Sequence, residues 1–204
     1  NTIVGALENN KNRISEIIEK FSSQCDLIVF PEMILEGYPP QDLLLDRFFI
    51  DKSQEYLEDI SRIVGSTPVI VGTIRSDNNY LYNTAAVLKD SLIVGYRDKT
   101  HLPTYDVFDE ARYFTPSKSI SPLKIFINDS PVKLGIQICE DLWDDGYKLK
   151  ISRNLCTQNA DVLINISASP FHINKFNERI DLIKAKAKDL KCNFIYCNAV
   201  GAQD

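Results

Sequence analysis

Hydrophobic positions run along the chain in two rhythms. Over residues 10–23, Ile14, Ile17, Ile18 and Phe21 fall at i, i+3, i+4 and i+7, the apolar stripe of a helix, with Asn9 or Asn10 as candidate cap. Leu27-Ile28-Val29-Phe30 is a short continuous apolar run, a buried strand that Pro31 ends. A second helix is expected over 53–64, with Tyr56, Leu57, Ile60, Ile63 and Val64 inward. Strands follow at 69–74, 80–88 and 92–96, joined through Ser76-Asp77-Asn78-Asn79 and Lys89-Asp90-Ser91, and links this short imply antiparallel neighbours. A long irregular stretch covers 99–121, and such loops are commonly functional. A hairpin (125–127 and 132–138) turns at Asn128-Asp129. A helix at about 149–158, a strand at 162–166, a helix at 174–190 and a strand at 193–197 complete the pattern. In the last helix Phe176, Ile180, Ile183, Ala187 and Leu190 make the repeat. Helices alternate with strands at both ends, around antiparallel pairs in the middle, which predicts α/β layers of mixed sheets covered by helices.

Composition narrows the class. The 204 residues, 44% hydrophobic and 25% charged, suffice for one core. A net charge of −5 argues against a nucleic-acid partner. No apolar run reaches the ~20 residues of a membrane span, and no secretory leader is visible, so a cytoplasmic protein is expected. Five cysteines, an odd count without Cys-x-x-Cys spacing, argue against a disulfide framework or zinc site. His101 and His172 stand apart, so no metal centre is expected. The chain begins at Asn1 and stops at Asp204 just past an apolar strand, so we expect one domain over 1–204, cut from a longer polypeptide at both ends.

Three reactive side chains share one structural address. Glu32, Lys99 and Cys139 each follow the end of an apolar strand, and ligands gather outside the carboxyl ends of strands in open α/β sheets. Singly, each has a plainer reading: a small buried hydrophobe for Cys139, a solvated loop charge for Glu32 and Lys99. Together they suit amide hydrolysis, where covalent catalysis splits one difficult step into two. Cys139 would attack the amide carbon and Lys99 would favour the thiolate and the oxyanion. Glu32 would carry protons, a task helped by burial that raises a carboxylate toward neutrality.

Phe30-Pro31-Glu32, Tyr96-Arg97-Asp98-Lys99 and Ile138-Cys139-Glu140-Asp141-Leu142-Trp143 resemble the Glu, Lys and Cys motifs of the nitrilase (carbon–nitrogen hydrolase) superfamily. Three further stretches narrow the resemblance to the glutaminase domains of glutamine-dependent NAD synthetases. They are residues 36–44 (EGYPPQDLL), residues 99–105 (KTHLPTY) with 108–114 (FDEARYF), and Asn165-Ile166-Ser167-Ala168-Ser169-Pro170-Phe171. The resemblance implies a four-layer α-β-β-α sandwich, with two mixed sheets face to face and helices outside. It also implies glutamine as substrate, with Glu110 orienting the lysine, Tyr105 at the glutamine pocket, and Ser169 and Lys175 on the glutamine backbone groups. Plainer readings stand beside these: a loop charge for Glu110, a packed aromatic for Tyr105, an exposed helix lysine for Lys175. Trp143 is expected to pack, and His101 to be a loop residue. Val4-Gly5-Ala6 replaces the usual Val-Gly-Asp, and Asn174 replaces a frequent Gly. No Ser-Gly-Gly-x-Asp-Ser loop occurs, so the ATP-dependent synthetase domain, with its ATP, Mg and deamido-NAD, is expected elsewhere in the polypeptide and no cofactor on this chain. A homo-oligomer is implied as well. A stand-alone ω-amidase or carbamoylase, or a non-catalytic nitrilase-like binding subunit, remains as an alternative; a Cys-His protease lacks a recognisable histidine signature.

Overall fold

The computed structural model describes residues 2–106, 108–170 and 172–201; Phe171 of the Asn165–Phe171 motif and the last three residues lie outside them. Strands β1 (Ile28–Val29), β2 (Val69–Asp77), β3 (Tyr80–Lys89) and β4 (Leu92–Asp98) form one sheet in that order. Strands β5 (Leu123–Ile127), β6 (Ser130–Ile138), β7 (Val162–Ser167) and β8 (Asn193–Asn198) form the second. Both sheets are mixed: β1–β2 and β6–β7–β8 are parallel, while β2–β3–β4 and β5–β6 are antiparallel.

The two-residue period of a strand builds the layers. In β2 and β3, Val69, Val71, Ala86 and Leu88 point to one side, where they meet Ile14 and Ile18 of α1 (Leu7–Phe21) and Leu57 and Ile60 of α2 (Arg47–Ile63). Their neighbours Ile70, Ala85 and Val87 point the other way, into Ile125, Leu134, Ile136, Ile138, Ile164 and Ile166 of the second sheet. Leu163, on the outer face of that sheet, meets Ile151 and Leu155 of α3 (Ile151–Thr157). With α4 (Lys175–Leu190) on the same side, the expected α-β-β-α sandwich is present.

Several expectations are corrected. Asn10 caps nothing: α1 begins three residues before it, and the buried Asn10 amide donates to Ile3 O (2.8 Å) and Leu35 O (3.0 Å). Its oxygen accepts from the Ile3 N–H, tying the chain start to the loop after β1. Helix α2 starts at Arg47 because the Asp46 carboxylate accepts from the Phe48 N–H, a cap upstream of the apolar repeat. Ile17 and Phe21 (39% exposed each) and Ile63 (41%) lie at the rims of their stripes, because one sheet face covers only a narrow arc of a helix. No residue of α4 is fully buried, and Phe176 is 62% exposed. Strand β4 runs two residues further than expected, to Asp98, so Lys99 leaves directly from the sheet.

Candidate active site

Each of the three reactive side chains is delivered by a strand end. The chain leaving β1 crosses β2 at Gly72, where an added Cβ would lie 2.1 Å from Pro31 O and 2.6 Å from Glu32 Cα. Only glycine permits that approach, and it drops the Glu32 carboxyl into the interior, 1% exposed. Lys99 follows β4, its N–H donating to Asn83 O (2.8 Å), and is also 1% exposed. Cys139 follows β6 and opens the turn Cys139–Leu142 with φ +44°, a left-handed conformation that costs a side-chain-bearing residue ~1–3 kcal/mol. The parallel register pairing Ile138 with Ile166 sets Cys139 beside Ser167 on β7.

The polar groups interlock. Lys99 Nζ donates to Glu32 Oε1 and to Glu110 Oε1, both at 2.8 Å. Asn83 Nδ2 donates to Glu32 Oε1 (2.7 Å) and reaches Glu110 Oε2 (3.4 Å). The Ala168 N–H donates to Glu32 Oε2 (2.9 Å), and the Tyr38 hydroxyl to Glu110 Oε1 (3.1 Å). The Asn165 amide donates to Cys139 O (3.3 Å). Burial pushes the Cys139 thiol well above an ordinary thiol, and the Glu32 carboxylate adds to this; Lys99 and a hydrogen bond with Ser167 oppose it. Burial alone would depress Lys99, but Glu110 and Glu32 outweigh it and hold the ammonium protonated far above its ordinary range. Burial raises Glu110, with Lys99 pulling against it. Together these are a neutral thiol, a fixed cation and a carboxylate, which can move a proton from sulfur to oxygen while stabilising negative charge.

An outer ring surrounds this centre. Glu140, 6% exposed, accepts from the Tyr105 hydroxyl (2.8 Å) and the Tyr147 hydroxyl (3.0 Å). Burial and then the Glu140 bond push Tyr147 up to about 12. The Tyr147 ring stacks on His101 (3.9 Å), whose Nε2 meets Leu149 O (3.0 Å), so His101 is the loop residue expected, buried and packed in place. The Ser169 N–H reaches Ser167 Oγ and Asn198 Oδ1, each at 3.2 Å. Lys175 lies with Nζ 4.0 Å from the Trp143 ring centroid and 3.6 Å from Glu178.

The structure therefore brings Glu32, Lys99, Glu110 and Cys139 into one centre and sets Tyr105 against the residue that follows Cys139. It places Ser169 two residues past the Ser167 partner of the thiol, and Lys175 on Trp143. Sequence reasoning missed the side chains of Tyr38, Asn83, Glu140, Tyr147 and Ser167 as parts of the site. Asn83 left a signal, an amide inside the apolar strand β3; Ser167 left none. Among the described residues no group of three or more His, Cys, Asp or Glu could hold a metal ion, and no helix is long and apolar enough to cross a membrane.

The sequence profile described as "Carbon-nitrogen hydrolase" matches residues 2–204. The glutamine-dependent NAD(+) synthetase of Aquifex aeolicus is 37% identical over 205 residues, an alignment that takes in all of this chain and 35% of that protein. The chain thus spans about a third of such a relative's length. The solved glutamine-dependent NAD+ synthetase of Acinetobacter baumannii superposes with a TM-score of 0.90 at 31% identity, over 100% of this chain and 37% of that one. An amidase from Nesterenkonia sp. shares the fold, with a TM-score of 0.80 at 16% identity over 98% of this chain and 73% of its own. With its fold, its strand-end centre and a profile matched from end to end, the chain belongs to the carbon–nitrogen hydrolase family.

Proposed function

We propose that residues 1–204 are a glutamine amidohydrolase domain in which Cys139 is the nucleophile, Glu32 the proton carrier and Lys99 the electrostatic partner. One observation carries this reading: a fully buried lysine bridges Glu32 and Glu110 at 2.8 Å each, beside a buried thiol on a left-handed turn. Because the thiol is neutral at rest, its proton passes to Glu32 as sulfur attacks the side-chain amide carbon of glutamine. Lys99 has three N–H bonds and commits two of them to carboxylates, so the third is available to the developing oxyanion. The Glu140 N–H supplies a second donor, and such a donor is worth ~10²–10³ in rate. The tetrahedral intermediate collapses, Glu32 returns the proton to the departing nitrogen, and ammonia leaves. Water, deprotonated by Glu32, then cleaves the γ-glutamyl thioester and regenerates the thiol.

The Glu140 carboxylate, oriented by Tyr105 and Tyr147, suits the α-ammonium of glutamine. Ser169, and Lys175 swinging off Trp143, are assigned to the α-carboxylate. We assign the released ammonia to an ATP- and Mg-dependent amidation of deamido-NAD on a synthetase domain elsewhere in the polypeptide, a reading that the relatives' name, glutamine-dependent NAD(+) synthetase, supports. A pairing of copies through α3 and α4 is supported by the exposure of Phe176 in α4 (62%) and of Ile173 just before it (93%).

Ammonia release from L-glutamine, L-asparagine, simple ω-amides and N-carbamoyl amino acids, followed with the full chain, tests the reading. It requires glutamine to be the preferred substrate by kcat/KM. A preference for an ω-amide lacking the α-amino acid group, or for a carbamoyl compound, overturns the glutamine assignment.

A further inference from the structure

One buried carboxylate outside the steps above touches both segments that carry them. Asp141 lies two residues past Cys139 and is 0% exposed. Its Oδ1 accepts from the Thr100 N–H (3.0 Å) and the His101 N–H (2.9 Å), the two residues that follow Lys99. Its Oδ2 accepts from the Ile138 N–H (3.2 Å), the residue that precedes Cys139. Capping the short turn at Cys139–Leu142 would account for the Ile138 bond alone. It would not account for two amides some 40 residues away, on the exit from another sheet.

Arg97 completes the arrangement from the far side. It is 3% exposed, and its Nη2 lies 3.8 Å from Asp141 Oδ2. The same guanidinium donates to Thr100 Oγ1 (2.8 Å), to Ser119 O (3.2 Å) and to Asp98 O. A buried carboxylate stripped of a cation is costly, so the pair stands or falls together. The Lys99 exit is thus gripped at Asp98, Thr100 and His101, while the approach to the left-handed Cys139 is gripped at Ile138.

We propose that Asp141, held by Arg97, is a positioning residue that fixes the Lys99 ammonium relative to the Cys139 sulfur by clamping the two strand exits together. Its kinetic assay rests on the glutamine amidohydrolase reading; its geometry does not. Neither side chain touches substrate. Their effect falls on the chemical step, because a misplacement of about 1 Å at reacting atoms costs on the order of 100-fold in rate.

The test is Asp141→Asn in the full chain. The asparagine oxygen can still accept from Thr100 and His101, but its amide nitrogen then faces the Ile138 N–H, donor against donor. The expected result is a fall in kcat on glutamine of ~10- to 100-fold, with KM changed less than about two-fold. The rate of Cys139 alkylation by iodoacetamide, read by peptide mass at fixed pH and well below Tm, should fall as well. A lowered Tm with wild-type kcat and wild-type alkylation would mean a purely structural carboxylate and would overturn the proposal. Arg97→Lys keeps a cation beside Asp141 but loses the fork to Thr100 and Ser119. It carries the same test if Asp141→Asn does not fold: reduced alkylation and kcat support the clamp, and wild-type values for both overturn it. If the wild-type protein leaves glutamine untouched while the variant still slows alkylation of Cys139, the clamp stands and the glutamine reading falls.

Discussion

Gly72→Ala tests how Glu32 is placed without touching a reactive group. The added Cβ would lie 2.1 Å from Pro31 O, 2.6 Å from Glu32 Cα and 2.8 Å from Met33 N. Carbon–oxygen contacts settle at about 3.3–3.6 Å, so the segment over β2 must retreat by roughly 1.2 Å. All three obstructing atoms are backbone, and the segment is anchored on both sides by Phe30 N–H to Ile70 O (2.8 Å) and Ile34 N–H to Gly72 O (2.9 Å), so no side-chain rotation relieves the clash. Overpacking of this kind costs ~1–3 kcal/mol of stability. The same shift drags the Glu32 carboxyl off Lys99, Asn83 and Ala168, and a displacement of that size is worth on the order of 100-fold in rate. Steady-state ammonia release together with a thermal melt reads both effects. A Gly72→Ala protein with wild-type kcat would refute the idea that the crossing at Gly72 sets the carboxyl.

Lys99→Met strips Glu32 and Glu110 of their shared cation, and breaking a buried pair costs ~3–5 kcal/mol. Burial and Glu32 already raise Glu110, which rises further once the opposing Lys99 is gone. A carboxyl whose folded pKa exceeds its unfolded value stabilises the fold below the unfolded pKa and loses that stabilisation as pH climbs through the folded one. The Lys99→Met deficit in denaturant melts should therefore be large at about pH 8 and shrink toward about pH 5; a deficit independent of pH contradicts this. Cys139 alkylation in the resting protein should rise with pH beyond the ~8.5 of a free thiol. Glu32→Gln, which removes a charge that raises the thiol, should move that profile to lower pH while abolishing turnover, and a wild-type plateau below pH 7 would exclude a neutral resting thiol. Glu140→Gln should raise KM for glutamine by ~10-fold or more with a smaller change in kcat; an effect on kcat alone would remove Glu140 from substrate binding.

The sheets were legible because their signals are local. Apolar runs joined by three- or four-residue links permit few arrangements, and β2, β3 and β4 lie as their spacing implies. Glu32, Lys99 and Cys139 were legible from position, each at a strand exit, and the motif resemblance sharpened this. What escaped depends on contacts remote in sequence. Asn10 looks like a helix cap, yet its amide serves Leu35, 25 residues away. Ser167 is an ordinary strand residue until the parallel register brings it beside Cys139. Asp141 reads as one more turn acid until the exit of β4 arrives against it. The exposure of Ile17, Phe21 and Ile63 could not be read from a stripe, because periodicity gives the facing direction of a helix and not the width of the surface that covers it. Lys175 was legible as a motif position, while the contact of its side chain with Trp143 was not, because 32 residues separate the two.

Trapping the acyl intermediate tests the central claim most directly. Full-length protein mixed with glutamine, quenched in acid within one turnover and digested, should yield a γ-glutamyl thioester on the peptide carrying Cys139. Hydroxylamine should remove the adduct, and Cys139→Ala should lack it together with ammonia release. Steady ammonia release from the Cys139→Ala protein, or a glutamyl adduct on Cys25, Cys156, Cys192 or Cys197 in place of Cys139, would contradict it.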